Sequence, residues 1–108
     1  MKRLRVAVAQ FNAHVGDLAG NTARILALAE RARAGGADVL LTPELALSGY
    51  PPEDLLMRPD FYRACATQLG ILAREAAVPM VVGHPEESAG QRYNAASLLA
   101  GGRVAATY

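Results

Sequence analysis

Two kinds of side chain in this sequence could do covalent chemistry: a carboxylate at the end of an apolar run, and a single thiol. Glu44 comes two residues after Thr42, where the apolar run 39–41 ends. The run predicts a buried strand, and ligands of open α/β sheets bind just outside the carboxyl ends of the strands. A glutamate in a partly dry cleft can act as a general base. Glu44 is therefore the candidate catalytic base, although an exposed acid at a strand end or a partner of a helix dipole would sit in the same place.

The thiol belongs to Cys65, the only cysteine of the chain. It falls on the apolar stripe of a predicted helix, and a free cysteine is commonly a small buried apolar residue. A reactive cysteine would need an electropositive, partly open setting. We therefore interpret Cys65 as structural, and the sequence shows no other nucleophile that Glu44 could activate.

Two histidines and one tyrosine complete the candidates. His14 and His84 have no metal-ligand spacing, so we predict no metal site. His84 follows a predicted strand and could face the same cleft as Glu44, although a surface histidine with satisfied hydrogen bonds is the commoner case. Tyr50 lies six residues past Glu44, before a proline pair, and is the candidate substrate-binding residue; the alternative is that it packs the loop. Phosphate-binding motifs of the GxGxxG or GxxxxGK[ST] kind are absent, so no nucleotide site is expected in these residues.

Alternating strands and helices must position these side chains, which predicts the α/β class. We predict strands over 4–9, 38–42 and 78–83, the first two parallel within a β-α-β unit. A helix is predicted over 18–33, capped by Asp17 or Asn21 and stopped by Gly35 and Gly36. Further along, the patterns predict a helical turn at 51–54, a helix opening at 59 with Asp60 as cap, a polar mobile loop at 86–92, and a hairpin of strands 93–99 and 103–108.

The composition excludes several classes of protein. The chain has 108 residues, of which 52% are hydrophobic, and a net charge of +1. Nucleic-acid-binding domains are usually far more basic, and we interpret Lys2, Arg3 and Arg5 as solvated charges rather than a binding patch. No apolar run reaches the roughly 18 residues of a membrane span. One cysteine provides no disulfide framework, so we predict a cytoplasmic protein.

Several motifs together resemble the nitrilase (carbon–nitrogen hydrolase) superfamily. They are the opening VAVAQ at 6–10 with Asn12, VGDL at 15–18, GN at 20–21, PEL at 43–45, SGY at 48–50 and YNAA at 93–96. The run YPPEDLL at 50–56, followed by Arg58 and Pro59, is more selective. It is similar to the glutaminase domains of one branch of the superfamily, the glutamine-dependent NAD synthetases. The resemblance covers nearly the whole chain.

The resemblance implies a fold and a catalytic set. The family fold is an α-β-β-α sandwich, two sheets with helices outside, and it is considerably longer than this chain. We therefore expect residues 1–108 to be the N-terminal portion of one such domain, with no second domain; the alternative is a small complete domain that ends on an edge strand. The family's set is a Glu base, a Lys and a Cys nucleophile. Glu44 matches the Glu, Cys65 does not match the nucleophile, and the Lys and Cys are expected beyond Tyr108, so the 108 residues alone should be inactive.

For the parent protein, the resemblance implies hydrolysis of the glutamine amide to supply ammonia for NAD synthesis. No cofactor is expected in this chain, while ATP and Mg²⁺ are implied for a synthetase domain outside it. The expected partners are glutamine, the remainder of the parent chain and further copies in a homo-oligomer, but neither nucleic acid nor a membrane. Two alternatives remain open: a stand-alone nitrilase-type amidase, and a non-catalytic truncated or assembly module.

Overall fold

The β-α-β unit predicted from the first 42 residues is present in the computed structural model, which describes residues 3–108. Strands β1 (Val6–Val8) and β2 (Val39–Leu41) pair in parallel and are joined by helix α1 (Leu18–Ala34). Both strands are shorter than predicted, although backbone hydrogen bonds continue at their ends, from Ala9 N to Leu41 O at 2.8 Å and from Asp38 N to Arg5 O at 2.7 Å. Arg3 and Arg5 are exposed, as expected for solvated charges, and Lys2 lies outside the described residues.

Side chains at its two ends set the length of α1. Of the two candidate caps, Asp17 is the one that acts: its carboxylate accepts a hydrogen bond from Gly20 N at 3.0 Å. Asn21 instead lies inside the first turn and is buried. At the other end the N–H of Gly35 donates to the carbonyl of Arg31 at 3.0 Å, which ends the helix as predicted.

Helix α2 (Pro59–Glu75) begins where it was predicted to begin, after a 3₁₀ helix (Glu53–Met57), but the predicted cap is wrong. The capping position is Arg58, whose φ and ψ of −102° and 114° are extended. A residue before proline is driven out of the helical region, while proline itself suits the first helical position. Asp60 therefore lies within the first turn, where its carboxylate pairs with Arg63 at 3.1 Å.

The predicted mobile loop at 86–92 is wrong, because these residues form the end of a long hairpin. Strand β3 (Met80–Ser88) continues five residues beyond its predicted end at 83 and pairs antiparallel with β4 (Gln91–Ala100). Ala89 and Gly90, with φ of 51° and 76°, make a two-residue turn between them. Strand pairing uses backbone hydrogen bonds and does not require apolar side chains. The exposed tip of the hairpin is therefore polar, and its sequence looks like that of a loop. The second hairpin, between β4 and β5 (Arg103–Thr107), is confirmed.

The five strands stand in chain order in one sheet, parallel from β1 to β3 and antiparallel from β3 to β5. Both α-helices pack on one face, where their apolar side chains meet those of the central strands; the most deeply buried include Ile25, Leu40, Cys65, Leu72, Met80, Val82 and Leu99. Within the described residues, no helix has the length and hydrophobicity that a membrane crossing requires.

The opposite face of the sheet is apolar and, within residues 3–108, partly open. Strand alternation places three apolar residues on this face: Val6, Val8 and Leu41. Their exposed fractions are 45%, 64% and 37%. Gly83 and Asn94 lie on this same face by the β3–β4 register. The carboxyl end of β2 therefore opens onto the face that the two helices leave free.

Candidate active site

Glu44 is exposed, but the four residues that follow it are among the most buried of the chain. Leu45, Ala46, Leu47 and Ser48 are between 0% and 5% exposed. The turn satisfies its own backbone: Ala46 N donates to Pro43 O at 3.2 Å and Gly49 N to Leu45 O at 2.8 Å. Leu45 has φ of +50°, a left-handed conformation that costs a residue with a Cβ about 1–2 kcal/mol. We call residues 45–48 the Glu44 plug, because this buried segment fixes the backbone of Glu44.

The plug is fastened to strand β3 at Gly83. Leu47 N donates to Gly83 O at 3.1 Å, and Gly83 N donates to the Thr42 hydroxyl at 3.2 Å. A Cβ on Gly83 would lie 2.7 Å from both Leu45 N and Pro43 O. Only glycine permits this approach, so the backbone around Glu44 rests directly on the sheet.

Replacement of Gly83 by alanine should therefore displace Glu44. The added methyl group overpacks a rigid backbone contact, which typically costs about 1–3 kcal/mol, and a catalytic group moved by about 1 Å can lose about 100-fold in rate. We expect a roughly 10- to 100-fold loss of any Glu44-dependent turnover in the full-length protein. Gly70→Ala is the matched control, because a Cβ there meets only the end of the Arg74 side chain at 3.5 Å. Equal turnover in both variants would contradict the contact's role.

Glu44 lines a cleft of about 240 Å³. Its Oε1 accepts a hydrogen bond from Asn94 Nδ2 at 2.6 Å. One further wall is the turn at 43–46 with Tyr50 after it, and the other is the segment before α1, with Phe11, Asn12 and Ala13. Tyr50 is 67% exposed and stands at the rim of this cleft. The structure thus brings the two predicted site residues into one concavity, which a small polar molecule could enter.

Asn21 joins the two backbone segments whose residues line the cleft. Its side chain accepts from His14 N at 2.9 Å and donates to His14 O at 2.8 Å and to Leu47 O at 3.0 Å. Gly49 lies so close to Val15 that a Cβ would come within 2.7 Å of the Val15 backbone. The segment before α1 and the Glu44 plug are consequently one packed unit.

Cys65 and His84 lie elsewhere. Cys65 is fully buried in the core, and burial raises the pKa of its thiol to about 12, so it is protonated near neutral pH. This agrees with its structural interpretation. The possibility that His84 faces the cleft is wrong: it is 2% exposed on the helix-covered side. Its hydrogen bonds are satisfied, as expected, although it is buried rather than at the surface.

The hydrogen bonds of His84 suit one tautomer of a neutral imidazole. Its Nδ1 lies 3.2 Å from the Pro85 carbonyl, which can only accept, so Nε2 accepts from the Ser97 hydroxyl at 2.7 Å; Ser97 is in turn 2.7 Å from the Thr107 hydroxyl. Burial lowers the pKa of His84, against smaller opposing effects of the Pro85 carbonyl and Glu86.

The titration of His84 follows from this burial. The pKa of His84 is lower in the folded than in the unfolded protein, so its contribution to the free energy of unfolding is complete above the unfolded value of about 6.5. As the pH falls below that value, this contribution is lost at no more than about 1.4 kcal/mol per pH unit. Proton NMR of the full-length protein should give a His84 midpoint below 6.5, with the signal assigned by its absence in His84→Gln. A midpoint at or above 6.5 would contradict the buried neutral state.

Among the described residues, no three His, Cys, Asp or Glu side chains come close enough to hold a metal ion. The prediction that the chain has no metal site remains a prediction. The residues that reasoning from the sequence missed are Gly83 and Asn94, which touch the Glu44 turn from strands far along the chain. The only indication in the sequence that Asn94 is functional is its place in the YNAA motif, and this motif does not show that Asn94 contacts Glu44.

Comparison with known proteins now defines the class. A family model for the carbon–nitrogen hydrolases matches residues 5–108, so the chain belongs to the carbon–nitrogen hydrolase family. It is 50% identical over 107 residues to the glutamine-dependent NAD(+) synthetase of Xylella fastidiosa (strain Temecula1), covering 97% of this chain and 20% of that protein. The predicted resemblance is confirmed. The chain spans about a fifth of the length of the curated relatives it matches.

Solved structures share the fold. The structure of glutamine-dependent NAD+ synthetase from Acinetobacter baumannii, in complex with ADP, matches 100% of this chain and 21% of its own, with 36% identity and a TM-score of 0.94. A variant of the amidase from Nesterenkonia sp. AN1 matches 98% of this chain and 43% of its own, with 32% identity and a TM-score of 0.83. That amidase carries acrylamide added at its active-site cysteine. The α/β, nitrilase-type fold class is confirmed, with this chain covering part of the domain.

Proposed function

We propose that this chain supplies the general base, Glu44, to a glutamine amide hydrolase that feeds ammonia to NAD synthesis in the full-length protein. One observation carries the proposal: the carboxylate predicted as the base lines a cleft at the carboxyl end of β2, beside Tyr50, in a chain 50% identical to a glutamine-dependent NAD synthetase. The nucleophilic Cys and the Lys would come from residues outside this chain. Residues 1–108 are then one portion of a glutaminase domain.

The proposed mechanism begins with proton transfer from the cysteine thiol to Glu44. The thiolate attacks the carbonyl carbon of the glutamine side-chain amide, and the Lys stabilises the negative oxygen that develops. The tetrahedral intermediate expels ammonia, with the proton on Glu44 returning to the leaving nitrogen, and a thioester remains. Glu44 then takes a proton from water, whose oxygen attacks the thioester carbonyl. The C–S bond breaks, glutamate leaves, and the proton on Glu44 returns to the cysteine sulfur. Tyr50, at the rim, would contact the bound glutamine.

The rest of the proposal concerns parts of the protein beyond these residues. ATP and Mg²⁺ would be used by a synthetase domain, where ammonia amidates the nicotinic acid dinucleotide; the residues of this chain contribute nothing to that chemistry. A homo-oligomer, implied by the resemblance, and a cytoplasmic location, predicted from the single cysteine and the absence of a signal-like segment, remain part of the proposal.

A stand-alone amidase is the second candidate, because a nitrilase-superfamily amidase matches the fold with a TM-score of 0.83 over 98% of this chain. In that case Glu44 would serve the same step, but the released ammonia would have no second reaction to enter. The sequence beyond Tyr108 separates the two candidates. A non-catalytic module would lack amide hydrolysis altogether.

An isotope experiment tests the proposal directly. The full-length protein is given glutamine labelled with ¹⁵N in the side-chain amide, together with ATP, Mg²⁺ and nicotinic acid adenine dinucleotide. We expect ¹⁵N in the amide of the NAD product. Release of labelled ammonia without labelled NAD would favour the amidase. If ¹⁵N appeared neither in NAD nor in free ammonia, both enzymatic candidates would be overturned.

The isolated 108 residues provide a further prediction. They hold the proposed base but not the proposed nucleophile, so we expect no ammonia from glutamine above the rate of an equal amount of a non-enzymatic control protein. Ammonia release that Glu44→Gln abolishes would contradict the proposal that the cysteine lies outside this chain.

A further inference from the structure

The side chain of Glu44 has one hydrogen-bond partner among the described residues, and that partner is fixed on a different strand. We propose that Asn94 is a positioning residue for the general base: it holds Oε1 of Glu44 and leaves Oε2 to take the proton. The inference rests on the proposed function of Glu44. The contact that carries it is the 2.6 Å hydrogen bond from Asn94 Nδ2 to Glu44 Oε1.

The sheet brings the two residues together although they are 50 positions apart. Asn94 is paired with Pro85 across the β3–β4 ladder. Gly83, two residues before Pro85, carries the turn that holds Glu44. Asn94 therefore lies on the same face of the sheet as the turn that carries Glu44, and the hydrogen bond joins this turn to the hairpin. Asn94 also lines a neighbouring pocket of about 170 Å³ with Leu45 and Pro85, so it stands between that pocket and the cleft.

A neutral amide suits this role. An exposed glutamate has three rotatable bonds, and fixing it beforehand removes part of the entropy cost of reaching the productive geometry. An arginine or lysine would also hold the carboxylate, but its positive charge would favour the ionised form and weaken the base. Asn94 can orient the carboxylate without adding charge.

The charged and titratable groups that line the two pockets with this pair are Arg92, Tyr62, Tyr93 and Tyr50. Arg92 donates to Glu87 at 3.1 Å and stands 5.1 Å over the Tyr62 ring. The Tyr93 hydroxyl donates to Gln91 at 3.0 Å. Tyr50 is the other titratable group of the cleft. All of them remain in the variants below, so a change in the pH profile is attributable to position 94.

The first test is Asn94→Ala in the full-length protein. We expect kcat for glutamine hydrolysis to fall roughly 10- to 100-fold, the scale of a misplaced catalytic group. The KM for glutamine should change little, because Asn94 positions the base rather than the substrate. Ammonia-dependent NAD synthesis should stay at the wild-type rate. A kcat within two-fold of wild type, or equal loss of both activities, would overturn the proposal; the latter would assign Asn94 to folding.

The second test is Asn94→Asp, which keeps the shape but places a carboxylate within hydrogen-bond distance of Glu44. Two carboxylates so close do not readily both ionise. The acid limb of the kcat/KM profile should therefore move to higher pH by about one unit or more. Ser88→Asp is the control, because it adds the same charge at the exposed tip of the same hairpin. An acid limb at the same pH in wild type and Asn94→Asp would overturn the proposal.

The result for the wild-type protein separates this inference from the proposed function. If the wild type does not hydrolyse glutamine, or if Glu44→Gln is as active as wild type, the proposed function fails. If the wild type is active and depends on Glu44 but both Asn94 variants match it, only the positioning role fails.

Discussion

Glu44→Gln in the full-length protein is expected to abolish glutamine-dependent NAD synthesis and leave ammonia-dependent synthesis intact. The amide keeps the shape of the side chain and can still bond to Asn94, but it cannot take up the thiol proton. Loss of a general base typically costs about 10²- to 10⁴-fold in rate. The measurement is kcat with glutamine and with ammonium chloride as alternative nitrogen donors.

A matched control separates the role of this carboxylate from charge alone. Glu53 is an exposed glutamate of the same connecting segment, nine residues further along. Glu53→Gln removes the same charge and should leave both activities within two-fold of wild type. If Glu44→Gln kept a tenth or more of the glutamine-dependent rate, Glu44 would not be the base.

Asn21→Leu should have the largest effect on local stability. The substitution removes three hydrogen bonds, two to the backbone of His14 and one to the carbonyl of Leu47. His14 O keeps its bond from Asp17 N at 3.1 Å, but His14 N and the buried Leu47 O are left without a partner among the described residues. At about 1–3 kcal/mol for each of these two groups, and less for the partly buried His14 N than for Leu47 O, the cost is roughly 2–4 kcal/mol. The cleft should lose its shape, and the Glu44 plug should open more often.

Hydrogen–deuterium exchange of the full-length protein measures this opening. A cost of about 3 kcal/mol corresponds to roughly 100-fold faster exchange at residues 44–50. Thr22→Val is the control: Thr22 is the next residue and is also buried, but its hydroxyl has no hydrogen-bond partner among residues 3–108. Residues 44–50 of the Thr22→Val protein should exchange at the wild-type rate. Unchanged protection at 44–50 in Asn21→Leu would contradict the role of Asn21.

The sequence predicted the elements that depend on local pattern. The apolar run before Glu44 indicated a strand end, and the i, i+3, i+4 spacing with Asp17 and Gly35 indicated α1 nearly to its ends. The placement of Cys65 on an apolar stripe predicted its burial. In each case the signal lies within one helix or strand, where periodicity and capping chemistry act over a few residues.

One failed prediction was local, since Arg58 and not Asp60 occupies the capping position of α2. The others concern contacts between distant parts of the chain. The residues at 86–92 are polar because they lie at an exposed hairpin tip, and the pairing that makes them strand is supplied by backbone groups on the other arm. Nothing near His84 in sequence indicates Ser97, the buried hydroxyl on the neighbouring strand that bonds its Nε2. Gly83 and Asn94 reach Glu44 only through the sheet register, which no local pattern specifies.

The central claim is that Glu44 draws a proton from a thiol outside this chain. Labelling of the full-length protein with an electrophilic analogue of glutamine, followed by peptide mass spectrometry, tests it most directly. We predict that a cysteine beyond residue 108 is modified in the wild type, that Cys65 is untouched, and that Glu44→Gln reacts at least about 100-fold more slowly. Modification of Cys65, or equally fast labelling in Glu44→Gln, would contradict the claim.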